Sequence, residues 1–280
     1  DRYSPSKVFL ISALLGALFN VGAILNGHTL LSLVGLRFMT GFFLAGIYPI
    51  GMKIAADYYE KGLGKALGFL VGALVLGTAL PHLLKGFTAG VSWKSVIIIT
   101  SGLAILGGSL TGFLVPNGPY RKPLQKLDLS LIPKIFKNVK FRSAAFGYFG
   151  HMWELYAFWA FVPFILSTYA ASHPEVNINI PVMSFIIVAI GSLACVVGGY
   201  SSKLFSAKKI ASLALALSGL CCLLSPTIFH IQQPGLFITF LLFWGMVVIA
   251  DSPLFSTLVA QSASPEFKGT ALTIVNCIGF

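Results

Sequence analysis

Apolar residues fill this chain in long runs, with little of the one-sided striping of a helix half-exposed to water. Short polar stretches separate the runs, and most runs reach the length of about 20 residues that a helix needs to cross a bilayer. The pattern predicts a first span from about Val8 to Leu25 and a turn at Asn26-Gly27-His28. A long second span runs from Leu30 to Tyr58; it contains Arg37 and Pro49 and ends among Lys53, Asp57 and Glu60. The third covers Lys65 to Leu84, and the fourth covers Val91 to Val115, with Trp93 and Lys94 suited to the membrane interface. Past a polar stretch, further spans are predicted at Ala144–Ala170, Val182–Tyr200, Ile210–Leu224 and Leu236–Ala260. A ninth has only begun when the sequence ends at Phe280. In hydrocarbon each segment must satisfy its own backbone, so runs of this length are helices. The expected fold is an all-α, polytopic transmembrane helical bundle, with eight complete spans and a partial ninth.

Composition agrees. The 280 residues are 56% hydrophobic and only 10% charged, where a soluble domain carries about 25% charged residues. A large soluble protein would need a polar face on most helices, and few of these runs have one. The net charge of +11 would suit nucleic acid, but its placement points elsewhere. Arg121, Lys122, Lys126, Lys134, Lys137, Lys140 and Arg142 crowd the stretch Pro116–Arg142 against a single acid, Asp128. With alternating spans, this stretch falls on the same side as Arg2, Lys7, Lys61, Lys65, Lys203, Lys208, Lys209 and Lys268, while the other side receives Lys85 and Lys94. That asymmetry marks the basic side as cytoplasmic. The reading is an integral protein of a plasma or bacterial inner membrane, with its first residues and the basic segment 116–143 in the cytoplasm and no nucleic-acid partner. The segment joins an N-terminal half, 1–115, to a C-terminal half, 144–280. Cys195, Cys221, Cys222 and Cys277 all fall in apolar runs, as small buried hydrophobes do.

No phosphate loop, zinc-ligand spacing or nucleophile elbow is present, so an enzyme, a metal site and a cofactor are not expected. What remains is charge at membrane depth: Arg37, Glu154 and Asp251, with His151 beside Glu154 and Tyr156 nearby. Such groups are costly in a bilayer and usually face a bundle interior or a water-filled cavity. Arg37 suits an oxyanion, because a guanidinium stays charged and offers paired donors. Glu154 and His151, three residues apart on one helical face, are candidates to bind solute or share a proton; an internal ion pair that only braces the helices is the alternative. Asp251, near Pro253, fits capping or gating as well as solute contact. Gly64, Gly68, Gly72 and Gly77 give the third span a small-residue face for close helix packing. Lys53 and Asp57, four apart, can pair near the membrane surface.

These features resemble the major facilitator superfamily of secondary transporters. Asp1-Arg2 is similar to the tail of that family's loop motif between helices two and three. Arg37-Phe-Met-Thr-Gly41-Phe-Phe-Leu-Ala45 is similar to its helix-four motif, and the Gly64–Gly77 ladder resembles its fifth helix without the Gly-Pro pair of the antiporter motif. Gly198-Gly199-Tyr200 with Lys208 and Lys209 resembles a second copy of the loop motif. The resemblance covers the whole chain and aligns it with helices three to eleven, as an internal fragment lacking helices one, two and twelve. It implies that the spans holding Arg37, Glu154 and Asp251 line a central cavity, and that Asp1, Arg2, Lys53 and Asp57 belong to the cytoplasmic gate. The expected function is secondary active transport of a small polar or anionic solute by alternating access, driven either by protons coupled in a symport or by the solute's own gradient. The alternative is a channel or a non-transporting membrane scaffold or receptor on the same fold.

Overall fold

A computed structural model describes residues 3–25, 27, 29–59, 61–87, 92–121, 132–263 and 268–280. Everything described is helix or connection. Eight helical stretches are long and apolar enough to cross a membrane: Pro5–Gly22, Leu30–Tyr58, Leu63–Gly86, Trp93–Leu114, Val139–Ser172, Ile180–Ser202, Ala207–His230 and Pro234–Ser262. A shorter apolar helix, Thr270–Gly279, follows them. The protein is an all-α integral membrane protein.

Three of the eight stretches are broken helices. The second is α2 (Leu30–Leu44) and α3 (Tyr48–Tyr58), the sixth is α8 (Ile180–Ala189) and α9 (Gly191–Leu204), and the last is α11 (Pro234–Ala250) and α12 (Ser252–Ser262). Proline explains two of the breaks, because Pro49 and Pro253 have no N–H for the carbonyl four residues back. The remaining helices are α1 (Pro5–Gly22), α4 (Leu63–Phe87), α5 (Trp93–Leu114), α6 (Ile132–Lys137), α7 (Val139–Ser172), α10 (Ala207–Leu224) and α13 (Lys268–Gly279). The seventh span extends past α10 through a 3₁₀ turn at Ser225–His230, where the sequence suggests a plain turn. The basic segment is partly helical, since α6 and the first turns of α7 lie within it. Asn138 starts α7 there by accepting from the backbone N–H groups of Lys140 and Phe141.

By contact the chain forms two compact units, 1–61 with 90–126, and 62–89 with 127–280. In the first, α1 packs on α5 and α2. The chain just after α5 is tied back to this unit: Ser6 Oγ donates to Val115 O (2.7 Å), Tyr58 Oη to Pro116 O (2.7 Å), and Tyr120 N to Asp57 O (3.0 Å). In the second, α4 packs along α9 and α8, and α12 is shared among α7, α4 and α10.

Small residues set the α4–α9 contact. A Cβ built on Gly68 would meet Cys195 O at 2.8 Å and Gly199 Cα at 3.3 Å, and one on Gly72 would meet Ser192 O at 3.0 Å. Gly64 faces Ser202 in the same row, whereas Gly77 has open space around it. Backbone approach of this kind gains dispersion contact that larger residues forbid. Gly68→Leu should therefore lower the thermal unfolding midpoint and the folded yield in detergent, since overpacking costs about 1–3 kcal/mol or more. Gly77→Leu should leave both near wild type. Equal midpoints for the two variants would contradict this account of the contact.

Candidate functional site

The break between α11 and α12 builds the most polar part of the buried interior. Pro253 cannot donate to Ile249 O; the Asp251 N–H donates to that carbonyl, and Cys195 Sγ on α9 approaches it at 3.5 Å. α9 comes close because it carries glycine there: a Cβ on Gly198 would sit 2.9 Å from Ala250 O. Asp251 occupies the N-cap position of α12, where an aspartate usually accepts from the first turn. Its side chain makes no such bond. It turns toward α7 instead, and Asp251 Oδ1 lies 2.8 Å from His151 Nδ1 with both side chains essentially inaccessible (1% and 0%).

His151 reaches this position because α7 has a buried stripe at helical spacing: Ala144, Tyr148, His151, Leu155, Phe158, Val162, Leu166 and Tyr169. The contact has ion-pair distance without well-aligned hydrogen-bond geometry. Among the described residues, His151 Nδ1 and Nε2 and Asp251 Oδ1 have no hydrogen-bond partner, and the same holds for Ser256 Oγ, Asn276 Nδ2 and Trp244 Nε1. Tyr148, one turn before His151, donates its hydroxyl to Asn276 Oδ1 at 2.7 Å. Tyr148, His151, Asp251 and Asn276 thus form a buried polar cluster from α7, the α11–α12 break and α13; Ser256, close to Asp251 in sequence, is buried on α12.

Glu154 belongs to a different environment. It lies at the edge of the buried stripe, is partly accessible, and accepts from Ser218 Oγ on α10 at 2.6 Å. It lines an open cavity of about 710 Å³ together with Trp153, Phe158, Phe161, Phe229 and Trp244. The expectation that His151 and Glu154 form the working pair is thus not what the side chains do: His151 turns to Asp251 and Glu154 to Ser218. Tyr156 also points away from the cluster. It is 39% exposed and stacks edge-on with Trp159 and Phe280 at centroid distances of 5.6 and 5.5 Å.

Arg37 is exposed on α2 and sits in the other compact unit. Its guanidinium makes a long contact of 3.5 Å to Asn20 O on α1, and Asn20 Nδ2 donates to Ser101 Oγ on α5 at 2.9 Å. A shallow cavity of about 440 Å³ lies beside it, lined by Ala23, Leu25, Leu33, Trp93 and Ile97. Lys53 Nζ donates to both carboxylate oxygens of Asp57, at 3.1 and 3.0 Å. Asp1 and Arg2, assigned to the gate with them, lie outside the described residues. Among the described residues no group of three or more His, Cys, Asp or Glu could hold a metal ion. Sequence reasoning missed Tyr148, Ser218, Ser256 and Asn276. The signal for Tyr148 was there, one helical turn from His151. The other three are ordinary-looking polar residues whose importance comes from tertiary contact.

The family model of the Major Facilitator Superfamily matches residues 1–280, the whole chain. The chain belongs to the Major Facilitator Superfamily. Within the superfamily, it is 32% identical over 132 residues to a D-galactonate transporter of Escherichia coli O6:H1, covering 45% of this chain and 30% of that protein. It is 29% identical over 144 residues to a multi-drug resistance efflux pump PmrA homolog of Lactococcus lactis subsp. lactis, covering 50% of this chain and 35% of that protein. The matches thus span about a third of the length of these relatives.

The energetics of the pair in this superfamily member can be tested without any solute. Removing one partner of a buried ion pair typically costs about 3–5 kcal/mol, because a charge is left uncompensated, whereas replacing both by apolar residues is often near neutral. His151→Phe should lower the unfolding midpoint more than the double variant His151→Phe/Asp251→Leu. Additive losses in the double variant would show that the two side chains do not act as a pair.

Proposed function

We propose that this protein is a secondary transporter that moves a small polar or anionic solute by alternating access, with a proton as the coupled ion. The observation that carries the reading is a set of ionisable side chains inside apolar, membrane-length helices of a Major Facilitator Superfamily chain. Intramembrane charges of this sort mark solute and proton pathways. Arg37, His151, Glu154, Tyr156 and Asp251 are the residues proposed for solute contact or coupling. The N-terminal residues and the segment 116–143 are assigned to the cytoplasmic side by their basic charge.

The similarity to a protein named for D-galactonate supports an anionic solute, because a guanidinium such as Arg37 grips a carboxylate with two donors. The Glu154 cavity favours a second solute class. Its described lining combines one carboxylate with several aromatic rings, the chemistry that holds an organic cation, and one relative is named as a multi-drug resistance pump.

The deciding experiment is uptake into proteoliposomes from a panel containing D-galactonate, related sugar acids and a lipophilic cation, with and without an imposed pH gradient. A transporter should give saturable uptake of one class that rises above equilibrium only with the gradient. Flux that is unsaturable and stops at equal concentrations would indicate a channel, and no protein-dependent flux for any compound would contradict transport.

A further inference from the structure

We propose that the joint between α6 and α7 is a binding site for an anionic phospholipid, with Arg142 at its phosphate and one acyl chain laid along α7 as far as Trp153. This goes beyond the transport reading and does not depend on it. The site is a surface of the second compact unit alone, which contains all the residues involved. α7 is 34 residues long, well beyond the ~20 that a hydrocarbon core requires. Its basic first turns, assigned above to the cytoplasmic side, therefore reach the headgroups while the rest of the helix crosses the bilayer.

Asn138 fixes the joint. It separates the two helices with an extended backbone (φ −68°, ψ 115°), so α6 does not continue along the axis of α7. Its Oδ1 accepts from the N–H groups of Lys140 and Phe141, and its Nδ2 donates to Ser262 O at the end of α12 at 3.3 Å. Phe136 folds back onto Phe141, edge to face at a centroid distance of 5.2 Å, and Phe141 is fully buried. Lys137, Lys140 and Arg142 stay exposed around this fixed point. Among the described residues, no carboxylate forms an ion pair with any of the three. Cations held at the membrane surface attract an anionic headgroup, and a guanidinium offers a phosphate two donors. Arg142 is the direct contact, and Lys137 and Lys140 add positive field around it.

The face of α7 beyond Arg142 specifies the apolar part of the ligand. Arg142, Phe146, Phe149 and Trp153 follow one another at helical spacing and form one stripe. Phe146 and Trp153 are 62% and 82% exposed, and Phe146 meets Phe149 edge to face at 5.8 Å. From Arg142 to Trp153 the helix rises about 16 Å, half of the ~30 Å hydrocarbon core. That is the depth of one leaflet, so a headgroup at Arg142 carries its chain past both phenyl rings to the indole. A free phosphate or another soluble anion would use the cations and leave the stripe uncovered. A phospholipid uses both.

Trp153 is itself the reporter, because bromine atoms on an acyl chain quench the fluorescence of a nearby indole. The full chain is reconstituted in phosphatidylcholine bilayers containing a minority of phosphatidylglycerol. The bromines are carried either by the phosphatidylglycerol or by an equal amount of the phosphatidylcholine. The Trp153 share of the quenching is the difference between wild type and Trp153→Phe. It should be about threefold greater when the anionic lipid carries the bromines, and the combined substitutions Lys137→Gln, Lys140→Gln and Arg142→Gln should abolish the difference. Lys208→Gln with Lys209→Gln, on the same side at the start of α10, should leave it unchanged. Arg142→Gln alone should reduce it, and serves as the test where the triple variant does not fold. Equal quenching of Trp153 by the two lipids overturns the site, as does no quenching by either. A preference that survives the loss of Arg142, or that the α10 substitutions remove equally, shows a diffuse attraction to the basic side and overturns it as well.

Discussion

Hydrocarbon offers no water to a free N–H or C=O, and that constraint organises this chain. It makes every span a helix and restricts where a helix can break, since the freed carbonyls must be met by protein. The breaks lie where neighbours come close. A Cβ on Gly46, in the gap between α2 and α3, would collide with Ser12 of α1. Gly191, at the gap between α8 and α9, would collide with Ile249 and approach Gly245 O. At the α11–α12 gap, Cys195 reaches Ile249 O and Gly198 lets α9 approach Ala250. Glycines on α4 and α9 extend the same close packing along the second unit. The broken helices are thus held by neighbours.

The same rule applied to side chains singles out the buried cluster. Asp251 is positioned by a backbone break and His151 by the buried stripe of α7, so neither owes its place to the other. Their meeting leaves two inaccessible ionisable side chains 2.8 Å apart in the bundle interior. Arg37 and Glu154 differ from this cluster: both are accessible, and each lines a cavity.

Most of the fold is readable from the chain because a bilayer sets one length scale and excludes strands and loops at depth. Span positions follow from apolar length alone, and Pro49 and Pro253 flag two of the three breaks. The break at Ile190 has no proline, and its apolar surroundings read as one uninterrupted span. His151, Glu154 and Asp251 stand out in the sequence as charge at membrane depth, but which of them meet does not. Three-residue spacing puts His151 and Glu154 on one side of α7, but a stripe has edges. His151 lies within it and Glu154 at its border, facing α10. Asp251 is distant in sequence, and only the fold of α11 and α12 against α7 shows that it is the partner. Asn276 and Ser256 were invisible for the same reason, since a single amide or hydroxyl in an apolar helix is common and gains meaning from what it faces.

The alternating access proposed above requires the buried interior around α12, where Ser256 lies, to open to the two sides of the membrane in turn. The most direct test places a thiol there. Ser256→Cys, in a background with Cys195, Cys221, Cys222 and Cys277 replaced, is probed with a membrane-impermeant thiol reagent from each side in oriented vesicles. Alternating access predicts labelling from one side at a time, with the reactive side exchanged when the pH gradient is reversed. Simultaneous labelling from both sides, or none from either under any gradient, would contradict the account.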